Sequence, residues 1–157
     1  MTPYSLEASF HNHFSFLLHQ FGFSIVEESY NQVMGNAVIV FAKPPTCIEV
    51  VKDRGQILVK LGDERLGSRE WIEFSKAVQF LSGIPGQVYC FPSDYNDETE
   101  DAQVSHVPAL MQQHCTLLLS GEMTIMQLRE AMKAQREQEL REHFESFTVN
   151  SDSEGST

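Results

Sequence analysis

The histidines are the residues best suited to metal chemistry in this sequence, and their spacing does not favour it. His11 and His13 lie two apart in a segment of helical periodicity, and side chains two apart on a helix point in different directions. They are therefore poor co-ligands for one ion. His106 and His114 lie eight apart, with neither a CxxC pair nor a carboxylate at ligand spacing. These patterns predict no metal site.

A run of carboxylates gives the first candidate surface. Residues 77–128 contain six acids and no Lys or Arg, and five of those acids lie close together: Asp94, Asp97, Glu98, Glu100 and Asp101. An EF-hand loop counted from Asp94 needs glycine sixth and glutamate twelfth, and the chain has Thr99 and His106 there. The stretch is therefore predicted to be a solvated acidic loop, which could meet a basic surface on a partner protein and speed association.

The sequence lacks the main motifs for phosphate binding, hydrolysis and zinc chemistry, namely GxxxxGK[ST], GxGxxG, GxSxG and HExxH. No serine or cysteine is linked by spacing to a histidine that could act as its base. The three cysteines, Cys47, Cys90 and Cys115, are far apart and odd in number, which predicts buried reduced thiols in a cytoplasmic protein. We therefore expect no cofactor, no metal ion and no catalysis.

The second candidate surface lies on a C-terminal helix predicted over residues 125–146. Its first half carries an apolar stripe typical of a core: Ile125, Leu128 and Met132. Its second half is mostly charged and has only Leu140 and Phe144 at a spacing of four. Such an edge could dock in a groove of a partner, pair with a second copy in a homodimer, or fold back on its own core. The polar tail, 148–157, is predicted to be disordered.

Three consecutive strands predicted over residues 37–62 form the centre of the fold. An apolar, β-branched run at 37–42 is followed by two prolines, a second strand at 46–52, a turn, and a third strand at 56–61. Alternate positions of the last two strands are apolar: Ile48, Val50, Ile57, Val59 and Leu61. This period of two predicts an antiparallel sheet with one buried face. Arg54, at the tip of the Asp53-Arg54-Gly55 turn, is a weaker candidate for recognition.

The rest of the chain is predicted to complete and cover this sheet. A short strand at 23–28 ends in two glutamates, which discourage pairing beyond the sheet edge. Amphipathic helices are predicted over three segments: 3–21, 69–82 and 107–120. Trp71 begins the apolar face of the second helix. The expected fold is α+β, a four-stranded antiparallel meander in the order α-β-β-β-β-α-α-α, within a single domain, 1–147.

The central stretch resembles a known set of sequences. The segments GNAVIV and CIEVVKDRGQILVKLG, followed by the Trp71 helix, are similar to a set of small uncharacterised bacterial proteins. These share a strand, a DRGQ turn, a second strand and a tryptophan-bearing helix. The resemblance covers about residues 20–83 and implies a fold for this region. It implies no function, and the C-terminal half lies outside it.

Charge and composition narrow the expected function. The net charge of −11 disfavours nucleic acid and anionic membranes as direct partners. We expect a non-catalytic protein–protein interaction module, either a toxin-neutralising immunity protein or an accessory subunit of a larger complex. The alternative is a small enzyme or ligand-binding domain with a pocket between sheet and helices, using scattered residues such as Tyr30, Arg54 and His106.

Overall fold

The computed structural model describes most of the chain, namely residues 5–31, 33–53, 56–67, 70–83 and 97–154. At 97–100, 103 and 148–154 it describes the backbone only. The chain divides into two compact units, Met1–Ile125 and Met126–Thr157. Among the described residues, no helix is both long and apolar enough to cross a membrane.

Ten elements follow one another along the described chain. The first unit contains α1 (Leu6–His19), β1 (Ser24–Asn31), β2 (Asn36–Lys43), β3 (Thr46–Asp53), β4 (Gln56–Asp63), β5 (Ile72–Glu73), α2 (Phe74–Ser82), α3 (Asp97–His114) and α4 (Thr116–Ser120). The last helix, α5 (Ile125–Glu154), forms almost all of the second unit. It extends into the segment for which the sequence predicts disorder.

The five strands form one antiparallel sheet in which every strand pairs with its neighbour in sequence, in the order β1-β2-β3-β4-β5. The predicted α+β class with an antiparallel meander is confirmed, but the predicted number of strands is wrong. The extra strand, β5, pairs Ile72 with Leu61 and Glu73 with Lys60 of β4. It is only two residues long, too short for a period of two to be visible.

The apolar alternation in the central strands produces the buried face of the sheet. Ile39 pairs with Val50, and Val50 pairs with Val59. All three side chains are almost completely buried, as are those of Ile48, Ile57 and Leu61 on the same face of the sheet. The half-buried sheet predicted from these strands is therefore present. Arg54, at the predicted hairpin tip, lies outside the described residues.

Helix α1 covers this face with aromatic side chains. Its N-terminus is capped by Ser5, whose Oγ accepts a hydrogen bond from the Ala8 backbone N–H at 3.3 Å, one of the orphan donors that every helix start must satisfy. Phe10 and Phe14 are fully buried. The Phe14 ring lies 5.8 Å from that of Phe41 on β2. This contact fixes α1 across the sheet.

Trp71 occupies a different place from the one its sequence pattern predicts. Helix α2 starts at Phe74, so Trp71 precedes both β5 and the helix. Its ring lies directly on Gly62 of β4, where an added Cβ would be 2.1 Å from the Trp71 Cδ2 atom. The indole Nε1 donates to the Leu66 carbonyl at 3.4 Å. The ring can lie there because Gly62 has no side chain. The helix predicted over 69–82 is therefore wrong at its start, since the residues directly before Phe74 belong to this contact and to β5.

The helix predicted over 107–120 is divided in two and begins earlier. Helix α3 already includes Asp97, and it ends at His114; Cys115 separates it from α4. The acidic stretch is therefore helical from Asp97 onward, and the predicted loop is wrong for that part. Carboxylates are favourable in the first turns of a helix because its N-terminal end carries partial positive charge. Pro108 lies inside α3, whereas the sequence places it in the first turn.

The last residue of β4 carries a buried carboxylate. Asp63 is fully buried, and its Oδ1 accepts hydrogen bonds from the Arg65 backbone N–H at 2.9 Å and from Arg65 Nε at 2.8 Å. Arg65 Nη2 donates to Oδ2 at 2.6 Å. The guanidinium beside it holds the pKa of Asp63 below its usual value. This arrangement fixes the turn that follows the central sheet.

The substitution Asp63→Asn is expected to lower the free energy of unfolding by about 1–3 kcal/mol at neutral pH, the usual range for charge-assisted hydrogen bonds. Because the pKa of Asp63 is lower in the folded protein, ionised Asp63 stabilises the fold above the unfolded-state pKa of about 3.9. This stabilisation is lost as the pH falls through the folded-state pKa.

Urea unfolding followed by circular dichroism between pH 7 and about pH 2 measures this effect. The difference between wild type and Asp63→Asn should shrink towards acid pH. The matched control is Glu64→Gln, which removes an exposed carboxylate next to Asp63 and should show a small difference throughout. A difference for Asp63→Asn that is the same at every pH would contradict the assignment.

Candidate functional site

Helix α5 presents three large apolar side chains on one face. Leu140, Phe144 and Phe147, which we call the apolar stripe, are 51%, 67% and 70% exposed. Their spacing of four and then three residues places them on one side of the helix. Every side chain from 133 to 147 is exposed. Leu140 and Phe144 are predicted from the sequence, whereas Phe147 is not, although its distance of seven from Leu140 is a sufficient signal.

The residues next to the apolar stripe on α5 are mostly charged, and acids outnumber bases among them. Between positions 136 and 147 the helix has two bases, Arg136 and Arg141, and four acids, Glu137, Glu139, Glu142 and Glu145. The combination is a narrow apolar edge with a mainly negative border.

The structure describes few side chains of the first candidate surface. Asp94 lies outside the described residues, and for Asp97, Glu98 and Glu100 only the backbone of α3 is described. Asp101 is the exception. Its Oδ1 accepts a hydrogen bond from the buried Ser9 Oγ at 2.8 Å. The same oxygen lies 3.0 Å from His13 Nε2.

Asp101 therefore links α3 to α1. The hydrogen bond from Ser9, together with that from His13, holds the pKa of the Asp101 carboxyl below its usual value. Serine and histidine bind the same carboxylate oxygen, whereas a serine nucleophile needs a histidine as its own base, with the acid behind that histidine. The arrangement joins two helices through Asp101, whose side chain remains 49% exposed.

The two pocket candidates that the structure describes, Tyr30 and His106, lie on different elements. Tyr30 belongs to β1, which extends beyond the strand predicted at 23–28. Burial, together with the Glu28 carboxylate beside it, raises the pKa of the Tyr30 hydroxyl. His106 is exposed on α3, and Arg54 lies outside the described part of the chain.

His11 and Glu28 form a contact between α1 and β1 that the sequence did not reveal. His11 Nε2 and Glu28 Oε1 are in hydrogen-bond contact, and this imidazole holds the pKa of Glu28 below its usual value. His11 and His13 thus bind different carboxylates on different elements.

Two of the three cysteines are described, and both are free and buried. Burial raises the pKa of the Cys115 thiol to about 12. Burial, and the carboxylates of Glu64 and Asp63, also raise the pKa of the Cys47 thiol. Neither thiol has the thiolate character that a nucleophile needs. Cys90 lies outside the described residues.

Comparison of the chain with protein-family models, with curated proteins and with solved structures found no match. The resemblance to small bacterial proteins around the DRGQ turn stays a prediction.

Proposed function

We propose that this protein is a non-catalytic protein–protein interaction module that inserts the apolar stripe of α5 into a groove of another protein. The supporting observation is the exposure of Leu140, Phe144 and Phe147, each more than half exposed. Helices that bind in grooves use anchors at i, i+3 or i+4, and i+7. The apolar stripe has this spacing.

The border of the apolar stripe indicates the chemistry of the groove. Four acids and two bases lie between positions 136 and 147, and the whole chain carries a net charge of −11. A groove with an apolar floor and a basic rim would match both features. Opposite charges at the rim accelerate association and select the partner, while the buried anchors supply most of the affinity.

A second copy of this chain fits the apolar stripe less well. In a coiled coil the positions that precede the stripe on the same seam are Glu137 and Lys133, found seven residues before Phe144 and Leu140. Self-pairing would bury those charges. A stable coiled coil also needs three or four apolar heptads, and the stripe spans one. The partner is therefore a different protein.

Two biological roles suit such a module. A toxin-neutralising immunity protein would use the stripe to block a basic toxin surface, and an accessory subunit would use it to join a larger complex. Both bind without chemistry, and the genes beside this one would distinguish them. A toxin gene in that position favours the immunity role, and its absence favours the accessory role.

The test is quantitative capture with the full-length protein as bait, followed by calorimetric titration of each purified protein that it retains. The double substitution Leu140→Ser and Phe144→Ser should abolish retention, and each single change should weaken binding by about 30-fold, the value for a hot-spot residue worth about 2 kcal/mol. Circular dichroism should show the fold unchanged, because both side chains are exposed.

Leu58→Ser is the matched control, since Leu58 is an exposed leucine on β4, 44% exposed, and belongs to the other unit of the chain. It should bind like wild type. Equal retention by wild type and the double variant would refute the proposal, as would no specific retention by either. Sedimentation showing a wild-type dimer that the double variant loses would instead identify a second copy as the occupant.

A further inference from the structure

A mixed cluster of carboxylates and imidazole lies where α1 meets the edge strand β1. Glu7 is in the first turn of α1, His11 follows one turn later, and Glu28 belongs to β1. One ligand atom from each of the three residues lies within 4.8 Å of the other two. A nitrogen and two carboxylate oxygens are thereby brought to one point at the surface.

Regular secondary structure positions all three side chains. Glu7 and His11 are four apart, so they lie one above the other on the same face of α1. Glu28 pairs with the buried Ile39, and so it stands on the sheet face that α1 covers. The rings of Phe10 and Tyr30 lie 6.2 Å apart and hold the helix beside the strand. The cluster therefore does not depend on a loop.

The donor set and its dimensions suit a divalent transition metal ion. Two carboxylates and a neutral imidazole carry a charge of −2, which such an ion balances, and imidazole favours zinc and its neighbours over magnesium. Ligand bonds of about 2.0–2.2 Å place the ligand atoms of a tetrahedral ion about 3.3–3.6 Å apart. The three ligand atoms lie within 4.8 Å of one another, so binding an ion would require side-chain rotations that bring them to that spacing.

The surroundings leave room for the ion and for water. The side chains of His11 and Glu28 are 41% and 30% exposed, so an ion can enter without opening the fold. Beside Glu28 lies the hydroxyl oxygen of Tyr30, which is buried and makes no hydrogen bond of regular geometry within the described part of the chain, although it is close enough to the Glu28 carboxylate to interact with it. A buried polar atom without a partner is costly. A water molecule bound to the ion would supply that partner.

We propose that Glu7, His11 and Glu28 bind one divalent first-row transition metal ion, of which zinc is the representative, with water completing its coordination. The proposal is independent of the apolar stripe, since its ligands belong to the first unit of the chain. The sequence contained the signal in the spacing Glu-x-x-x-His on a predicted helix. It could not show that a strand residue seventeen positions beyond His11 supplies the third ligand.

Calorimetric titration of the chelator-treated full-length protein with zinc chloride in a non-coordinating buffer tests the proposal. We expect one ion per chain. Glu7→Gln, His11→Asn and Glu28→Gln should each weaken binding by about 10-fold or more, the loss expected when a metal site is disturbed. Magnesium chloride should bind at least about 10-fold more weakly than zinc. Cobalt absorption spectra, recorded with the same variants, report the ligand set directly.

Two matched controls remove equivalent groups outside the cluster. Glu27→Gln changes the neighbouring carboxylate of β1, which pairs with Val40 and stands on the opposite face, and His106→Asn removes an exposed histidine of α3. Both should bind zinc like wild type. Zinc affinity that all three cluster substitutions leave within twofold of wild type would overturn the proposal, as would equal loss in the controls or equal binding of magnesium. Glu7 is exposed, so Glu7→Gln should fold normally and keeps the test decisive.

Discussion

Gly62→Ala is expected to destabilise the protein by about 3 kcal/mol, the upper range for forcing an extra group into a packed site. The new Cβ would lie 2.1 Å and 2.2 Å from the Trp71 Cδ2 and Cε2 atoms. The ring would have to leave β4, and its hydrogen bond to the Leu66 carbonyl would be lost with it. Urea unfolding followed by circular dichroism gives the change in free energy.

Tryptophan fluorescence provides a second readout, because the chain has a single tryptophan. Its emission should shift to longer wavelength in Gly62→Ala as the ring becomes hydrated. Gly67→Ala is the matched control, since an added Cβ there meets no atom within 4 Å, and its stability should be close to wild type. The contact between Gly62 and Trp71 would be refuted if the two variants were equally stable.

Phe14→Ala should have the largest effect on stability, a loss of about 3–5 kcal/mol, as is typical when a buried phenylalanine is truncated. Phe14 is fully buried, and its ring lies 6.0 Å from that of Phe10 and 5.8 Å from that of Phe41. Its removal opens a cavity between α1 and the sheet. Equilibrium unfolding in urea measures the loss.

Asn12→Ala, an exposed position of the same helix, is the control and should change stability by less than about 0.5 kcal/mol. Phe14→Leu should retain much of the wild-type stability, because it preserves part of the buried volume. If Phe14→Ala and Asn12→Ala had similar stability, α1 would not cover the sheet as described. Weaker zinc binding by Phe14→Ala than by Phe14→Leu would connect this packing to the placement of His11.

The strands could be predicted because the residue pattern that specifies each of them lies within the strand itself. In β3 and β4 a period of two in the apolar residues shows both the element and its buried face, and Val50 and Val59 indeed pair with each other. The two prolines between β2 and β3 mark a turn in any context. Helix α1 is also visible from its aromatic spacing, although its ends differ by two or three residues from the prediction.

The structure departs from the sequence-based prediction where a contact decides the local conformation. Trp71 fits a helical stripe with Phe74 and Val78. In the structure its ring instead packs on Gly62, and the two residues after it pair with the edge of β4. Local propensity carries no information about either feature. The early start of α3 has a different cause. The acidic residues for which a loop was predicted are also favourable at the N-terminus of a helix.

The two candidate sites differ in the same respect. The apolar stripe is a pattern within one helix, and so the sequence contains nearly all of it. The cluster of Glu7, His11 and Glu28 joins two elements, and the hydrogen bond from Ser9 to Asp101 joins residues 92 apart. Such pairs depend on how α1 docks, which no single-sequence pattern specifies.

The strand order keeps the entropic cost of loop closure low within the sheet. Every strand pairs with its sequence neighbour, and two of the connections, 44–45 and 54–55, are two residues long, so each hairpin closes a small loop at low entropic cost. The helical cover is different, because α1 meets α3 across a separation of 92 residues between Ser9 and Asp101. The sheet is thus topologically local, while the docking of the first helix joins parts of the first unit that lie far apart in the sequence.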